Sequence, residues 1–205
     1  MPSLPPGPDV RNGFRFRGGH VALDLTATLA GRRRPAPREL LPTPDALARW
    51  LVAAGLVAPA PDVTPHDLDD ARVLREAVYT LARAAAVGHP LDGADGTDAA
   101  RATLNALAAR PDAAPRLGAD GRVTRDGPAA AVLATLAREA VLLLGGPQAA
   151  RIRRCAGETC ALLFLDLSRT GNRRWCAMTA CGNRAKVAAF RQRRPGADPG
   201  QGGDR

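Results

Sequence analysis

Four cysteines fall in two matched pairs, Cys155/Cys160 and Cys176/Cys181, each a C-x4-C, with fifteen residues between the pairs. No other feature restricts the fold of this chain as much. Each pair can offer two thiolates from one turn, and a β-hairpin between the pairs would bring the turns together around a tetrahedral metal. The x4 spacing is looser than the usual x2. Zinc is the reading it favours, while an iron–sulfur cluster and free buried thiols stay open. No apolar leader opens the chain and no apolar run is long enough to span a membrane, so a cytoplasmic location is expected. Thiols there stay reduced, and cysteines are read as metal or redox chemistry before disulfides.

The charge sits in the same place. The chain has 205 residues and a formal net charge of +9. Residues 1–150 carry 17 Arg against 16 acids, whereas residues 151–194 carry 11 Arg and Lys against Glu158 and Asp166 alone. With 28 Arg and one Lys, the choice of Arg says little, but its placement says more. A basic segment pinned by a metal has the size and sign to lie against phosphates, although a solvated basic helix would look similar.

Within this segment, LLFLDL and RRWC read as strands joined by a turn over Ser168–Asn172. Gly182 is expected to let backbone amides point at a thiolate. Asn183 is expected to cap a last helix whose Val187 and Phe190 pack against the hairpin. Arg184, Lys186, Arg191 and Arg193 flank that stripe.

The rest of the chain reads as helical. Its apolar residues are chiefly 42 Ala and 25 Leu with a single Ile, which suits helices and argues against a β-sandwich or barrel. Residues 1–13 are expected to be disordered. Phe14–Leu29 alternates partially and predicts one or two short strands broken at Gly18-Gly19. Thr43-Pro44 and Thr64-Pro65 mark helix starts. The first helix carries Leu47, Trp50, Leu51 and Ala54 and ends at Gly55. The second carries Leu74, Val78, Leu81 and Ala85 and ends at Gly88.

A third helix spans about 98–109. Asp120-Gly121 is a hairpin turn pair, and Asp126 is expected to cap a fourth helix through Leu144. Gly145-Gly146-Pro147 marks a boundary. The expected organisation is a helical domain with short strands over 14–146, a four-Cys module over 147–194 and a disordered tail over 195–205. The fold class is thus mainly α with a few short β-strands, the last module being a zinc-bound hairpin plus helix. His20, His66 and His89 have no metal-ligand spacing and read as structural. No P-loop, dinucleotide fingerprint or GxSxG elbow is present, and a four-Cys site leaves no open metal position, so no enzyme is expected.

The string Cys181-Gly182-Asn183-Arg184, with LFLDLSR and RRWC before it and Lys186 after it, resembles the CGNR zinc-finger family. Residues before it resemble the ABATE-type domain, a stress-induced transcription regulator. In such proteins the N-terminal motif reads like LDFVNT. Here Leu23–Thr28 is LDLTAT, with Asp24 kept and Ala27 in place of the amide.

The resemblance implies a bacterial, zinc-dependent transcription regulator binding double-stranded DNA. Its N-terminal domain would form a homodimer or sense a small-molecule effector. Cys155, Cys160, Cys176 and Cys181 would hold one structural Zn2+. Arg173, Arg174, Arg184, Lys186, Arg191, Arg193 and Arg194 would meet nucleic acid. A thiol redox sensor and a protein- or RNA-docking module are the alternatives.

Overall fold

The computed structural model describes residues 10–89, 91, 96–119, 121 and 123–192. The expectations placed on 1–9 and 195–205, and on Arg193, Arg194 and Asp120, lie outside them. Among the described residues, five helices form the body: α1 (Val21–Thr26), α2 (Pro44–Ala53), α3 (Pro65–Ala86), α4 (Thr97–Ala108) and α5 (Ala129–Gly145). Four antiparallel ribbons decorate it. They pair β1 (Val10–Arg11) with β2 (Phe14–Arg15), β3 (Leu29–Ala30) with β4 (Arg38–Glu39), β5 (Pro115–Leu117) with β6 (Val123–Arg125), and β7 (Ile152–Arg154) with β8 (Leu163–Leu165). A π-helical turn, Met178–Gly182, leads into α6 (Asn183–Gln192).

The Thr-Pro starts behave as their chemistry dictates. Thr43 Oγ1 accepts the Ala46 amide. Thr64 and Asp67 form a reciprocal capping box, each side chain accepting the other's amide, at 3.2 and 2.8 Å. Gly55 and Gly88 follow these helices at φ 71°, a conformation that favours glycine. α3 then packs against α1, α2, α4 and α5, burying Leu74, Val78 and Leu81. Its buried Arg75 reaches out to Glu39 at 2.7 and 2.8 Å and so ties the β3–β4 ribbon to the body.

Three local expectations are corrected. Residues 21–26 are a helix, not a strand. His20 caps it by accepting the Ala22 amide, and Ala22 to Thr26 are all buried, so neither period could show in the sequence. Residues 10–13, expected to be disordered, belong to a ribbon with Phe14 and Arg15 that is turned by Asn12 and Gly13 at φ 49° and 81°. Asp126 does not cap α5. The cap position is Pro128, whose carbonyl accepts the Ala131 and Val132 amides.

The β7–β8 ribbon belongs to two cores at once. Side chains alternate along β8. Leu163 and Leu165, with Ile152 of β7, join the core made by α1, α3 and α5, while Phe164 faces the cysteines. The Leu165 amide also donates to the Gly18 carbonyl at 2.7 Å. The cysteine segment is therefore built into the helical body, although Gly145-Gly146-Pro147 reads as a boundary.

Candidate metal centre

The first cysteine pair sits in the loop closing the β7–β8 ribbon. The Cys155 amide donates to the Leu162 carbonyl, and the Cys160 amide donates to the Gly157 carbonyl. The second pair arrives by a route different from the expected LLFLDL–RRWC pairing. β8 pairs with β7 instead, and residues 173–176 are not a strand. One backbone bond joins them to the first pair, from the Ala156 amide to the Arg174 carbonyl at 2.8 Å. The physical reason lies in Asp166. Its carboxylate is fully buried and accepts the Ser168 amide, the Ser168 hydroxyl and the Arg173 amide at 3.0, 2.6 and 2.8 Å. Those bonds curl the loop and turn the Arg173 amide away from a ladder. Burial opposes its charge, but these donors hold the Asp166 carboxyl below the usual carboxylate range.

The four thiol groups converge. All lie within 4.8 Å of one another, with Cys176 Sγ 3.6 Å from Cys181 Sγ and 4.0 Å from Cys160 Sγ. A tetrahedral ion with metal–sulfur bonds of about 2.3 Å places its sulfurs about 3.8 Å apart. The donor set therefore fits one zinc ion, and four thiolates suit zinc's preference for sulfur. Cys155 is supported by two amides, Gly157 at 3.5 Å and Cys176 at 3.4 Å. Arg184 places Nη2 3.1 Å from Cys181 Sγ, offsetting part of the negative charge of a tetrathiolate. Without metal, hydrogen bonds from Cys160 and Cys176 hold the Cys155 thiol well below the usual range, and the Cys155 anion pushes Cys160 up to about 11. Four thiolates together thus require a cation.

One glycine allows this closeness, since a Cβ on Gly157 would stand 3.1 Å from Cys160 Cβ and 3.3 Å from Cys181 Sγ. A Cβ on Gly182 would meet the end of the exposed Met178 side chain, which is free to shift. Gly182 is therefore not what brings the thiols together. Its amide donates to the Ala177 carbonyl, not to a thiolate as expected. Asn183 likewise is no cap. It is already helical, because the π turn runs straight into α6.

The expected nucleic-acid residues divide. Arg173 spends Nε on the Trp175 carbonyl at 2.9 Å and Nη2 on the Cys176 carbonyl, and lies over the Phe164 ring. It braces the second cysteine pair. Arg174 is exposed and lies 5.1 Å over the Trp175 ring. Arg184, Lys186 and Arg191 are exposed on α6. Val187 and Phe190 remain 49% and 55% exposed, so this stripe does not pack on the hairpin as expected.

Sequence reasoning missed three sets of residues. Asp166 carried a signal, an Asp two residues before a Ser, which is the pattern of a side-chain-capped turn. Arg15 and Arg17 share a groove with Arg184 and Arg191, and nothing local in the sequence joins them. Arg33 also reaches the Gly157 and Glu158 carbonyls at 3.4 Å, so the N-terminal part touches the metal knuckle directly.

No helix among the described residues is long and apolar enough to cross a membrane. No curated protein matches the chain. Residues 151–194 match the CGNR zinc finger, whose cysteine-rich pattern accords with the convergent thiols. Residues 19–147, the helical body, match the family described as "putative stress-induced transcription regulator". The chain therefore belongs to the ABATE family and carries a CGNR zinc finger at its C-terminal side.

Proposed function

We propose that this protein is a cytoplasmic, zinc-dependent transcription regulator that binds double-stranded DNA through its C-terminal module. Cys155, Cys160, Cys176 and Cys181 hold the ion, which acts structurally by fixing the start of α6. The observation that carries the reading is α6 itself. It begins beside the last cysteine, has no acidic residue, and exposes Arg184, Lys186 and Arg191 together with Val187 and Phe190. A helix of this kind can enter a major groove, with the cations on phosphates and the apolar side chains on thymine methyls. Arg15 and Arg17, across the groove from Arg184 and Arg191, extend the basic surface. Homodimerisation and effector sensing belong to the same reading as roles of the helical body.

The test is selection from random duplexes with zinc-loaded protein, followed by titration of a selected site at several salt concentrations. Contacts from Arg15, Arg174, Lys186 and Arg191 correspond to a log–log salt slope of about −3 to −4. A single enriched motif, lost in Lys186→Ala/Arg191→Ala, supports the reading. No duplex bound above background overturns it and leaves protein or RNA docking.

A redox-sensing reading has one observation in its favour. Cys160 is only half-buried, while the other three cysteines are buried. Its test is zinc release under mild peroxide, and retention of the metal removes it.

A further inference from the structure

A cavity of about 400 Å³ lies between the β3–β4 ribbon, the end of α1 and the Thr159–Leu162 arm of the metal knuckle. That volume lies within the range of small-molecule sites. Among the described residues, its lining contains five arginines and no carboxylate. Arg32 is already neutralised by Glu76, at 2.6 and 2.9 Å, and stacks 4.0 Å over Tyr79. Arg184 faces Cys181. The remaining three, Arg15, Arg34 and Arg38, are exposed, and no ion pair engages them among the described residues.

Three uncompensated cations around one concave space repel one another, and an anion between them would remove that repulsion. The space also has an apolar side. Leu29, Leu40 and Leu162 line it and are half-buried. The frame is held in advance, because Arg75–Glu39 and Arg32–Glu76 tie the β3–β4 ribbon to α3.

We propose that this cavity binds a small organic anion, its acid group against Arg15, Arg34 and Arg38 and its apolar body against Leu29, Leu40 and Leu162. A duplex backbone is convex and offers nothing apolar to the leucines, so the concave, half-apolar lining favours a small molecule over DNA. Cys160 and Arg184 share the lining. The bound anion therefore touches both the metal knuckle and the first turn of α6. The proposal deepens the effector role and rests on the regulator reading for its regulatory meaning; Arg15 borders both the cavity and the basic groove, so the binding is measured without DNA.

The probe is 8-anilinonaphthalene-1-sulfonate, an anion with an apolar body, titrated into the zinc-loaded full chain without DNA and followed by fluorescence. Its uncharged counterpart, N-phenyl-1-naphthylamine, is the control. One site per chain is expected, with the anion bound at least about ten-fold more tightly than the neutral dye. Arg34→Ala/Arg38→Ala, at exposed positions, is expected to weaken the anion about ten-fold or more. Ala36→Trp, also exposed, keeps every charge and fills the space, and is expected to abolish the site.

Lys186→Ala/Arg191→Ala is expected to leave dye binding unchanged. Equal binding of the two dyes, or wild-type affinity in Arg34→Ala/Arg38→Ala, overturns the proposal. Loss in the charge variant with full retention in Ala36→Trp also overturns it, since surface charge alone would then hold the dye. A protein that selects a DNA motif but binds no dye loses this proposal alone. One that binds the dye at this site but no duplex loses the DNA reading alone.

Discussion

Leu163→Ala tests whether the zinc module and the helical body are one folding unit. Leu163 is fully buried, and its strand β8 packs against α1 and α3 within the core of the helical body. A Leu→Ala change at such a site costs about 3 kcal/mol, within a range of about 2–5, from lost burial and the cavity left behind. In a chain of this size that corresponds to a fall in Tm of about 6–12 °C. The two tryptophans make the readout unusually direct. Trp50 is buried in the helical body beside Phe16, and Trp175 packs against the cysteines. Trp50→Phe and Trp175→Phe backgrounds isolate one probe each. Urea unfolding followed by either fluorophore and by helical circular dichroism is expected to give coincident curves, all displaced together by Leu163→Ala. Two separate transitions would refute the shared core, above all if Leu163→Ala moved the Trp175 curve and left the Trp50 curve in place.

Three further outcomes are expected. Cys176→Ser removes one of four converging sulfurs. Zinc content should fall well below one per chain by atomic spectroscopy, and the helical transition should shift with it; one equivalent retained at wild-type affinity would count against four-sulfur ligation. Asp166→Ala removes a buried carboxylate that accepts the Ser168 and Arg173 amides of an otherwise largely exposed loop, and should cost about 1–3 kcal/mol in urea unfolding. An effect under about 0.5 kcal/mol would show that the carboxylate does not organise the loop. Burial pushes the Asp24 carboxyl up to about 7, against the Gly18 amide and the charge of Arg11. The folded chain then keeps a proton that the unfolded chain loses near pH 4, so stability falls as pH rises from about 4 to 7 and stays lower above, by up to roughly 4 kcal/mol. Asp24→Asn should be more stable than wild type at pH 8, with the gap closing toward pH 4. Parallel stability curves for the two proteins across that range would exclude the effect.

What the residues announced in advance is what local chemistry decides. Thr43-Pro44 and Thr64-Pro65 specify helix starts by supplying an acceptor and a preset φ, and nothing distant has to agree. Two C-x4-C pairs specify a metal knuckle because few other uses exist for them. What stayed hidden depends on distant partners. α1 shows no helical stripe because it is buried nearly all round. The LLFLDL strand was visible, but its partner was chosen by the helical core, which takes Ile152, Leu163 and Leu165 from one face of the ribbon. The charge of Arg173 is legible in sequence, whereas the Trp175 and Cys176 carbonyls that take its Nε and Nη2 donors are not.

The shared ribbon also limits how an effector could work on the reading proposed here. A finger on a flexible tether could be released or captured by its sensor domain. Here β8 holds Leu163 and Leu165 in the body and Phe164 against the cysteines, so detaching the finger would empty part of the body's core. Burying such side chains is worth about 1.5–3 kcal/mol each, a large share of a typical domain's net stability. A bound anion therefore has a less costly place to act, beyond the ribbon. The π turn and α6 contact each other, with α6 leaving Val187 and Phe190 exposed, and Arg184 stands between the cavity and Cys181. An anion that draws Arg184 away from Cys181 would weaken the charge compensation at the metal and loosen the first turn of α6 together. The expected signature is a ligand-dependent change at Trp175 and α6, with the environment of Trp50 unaltered.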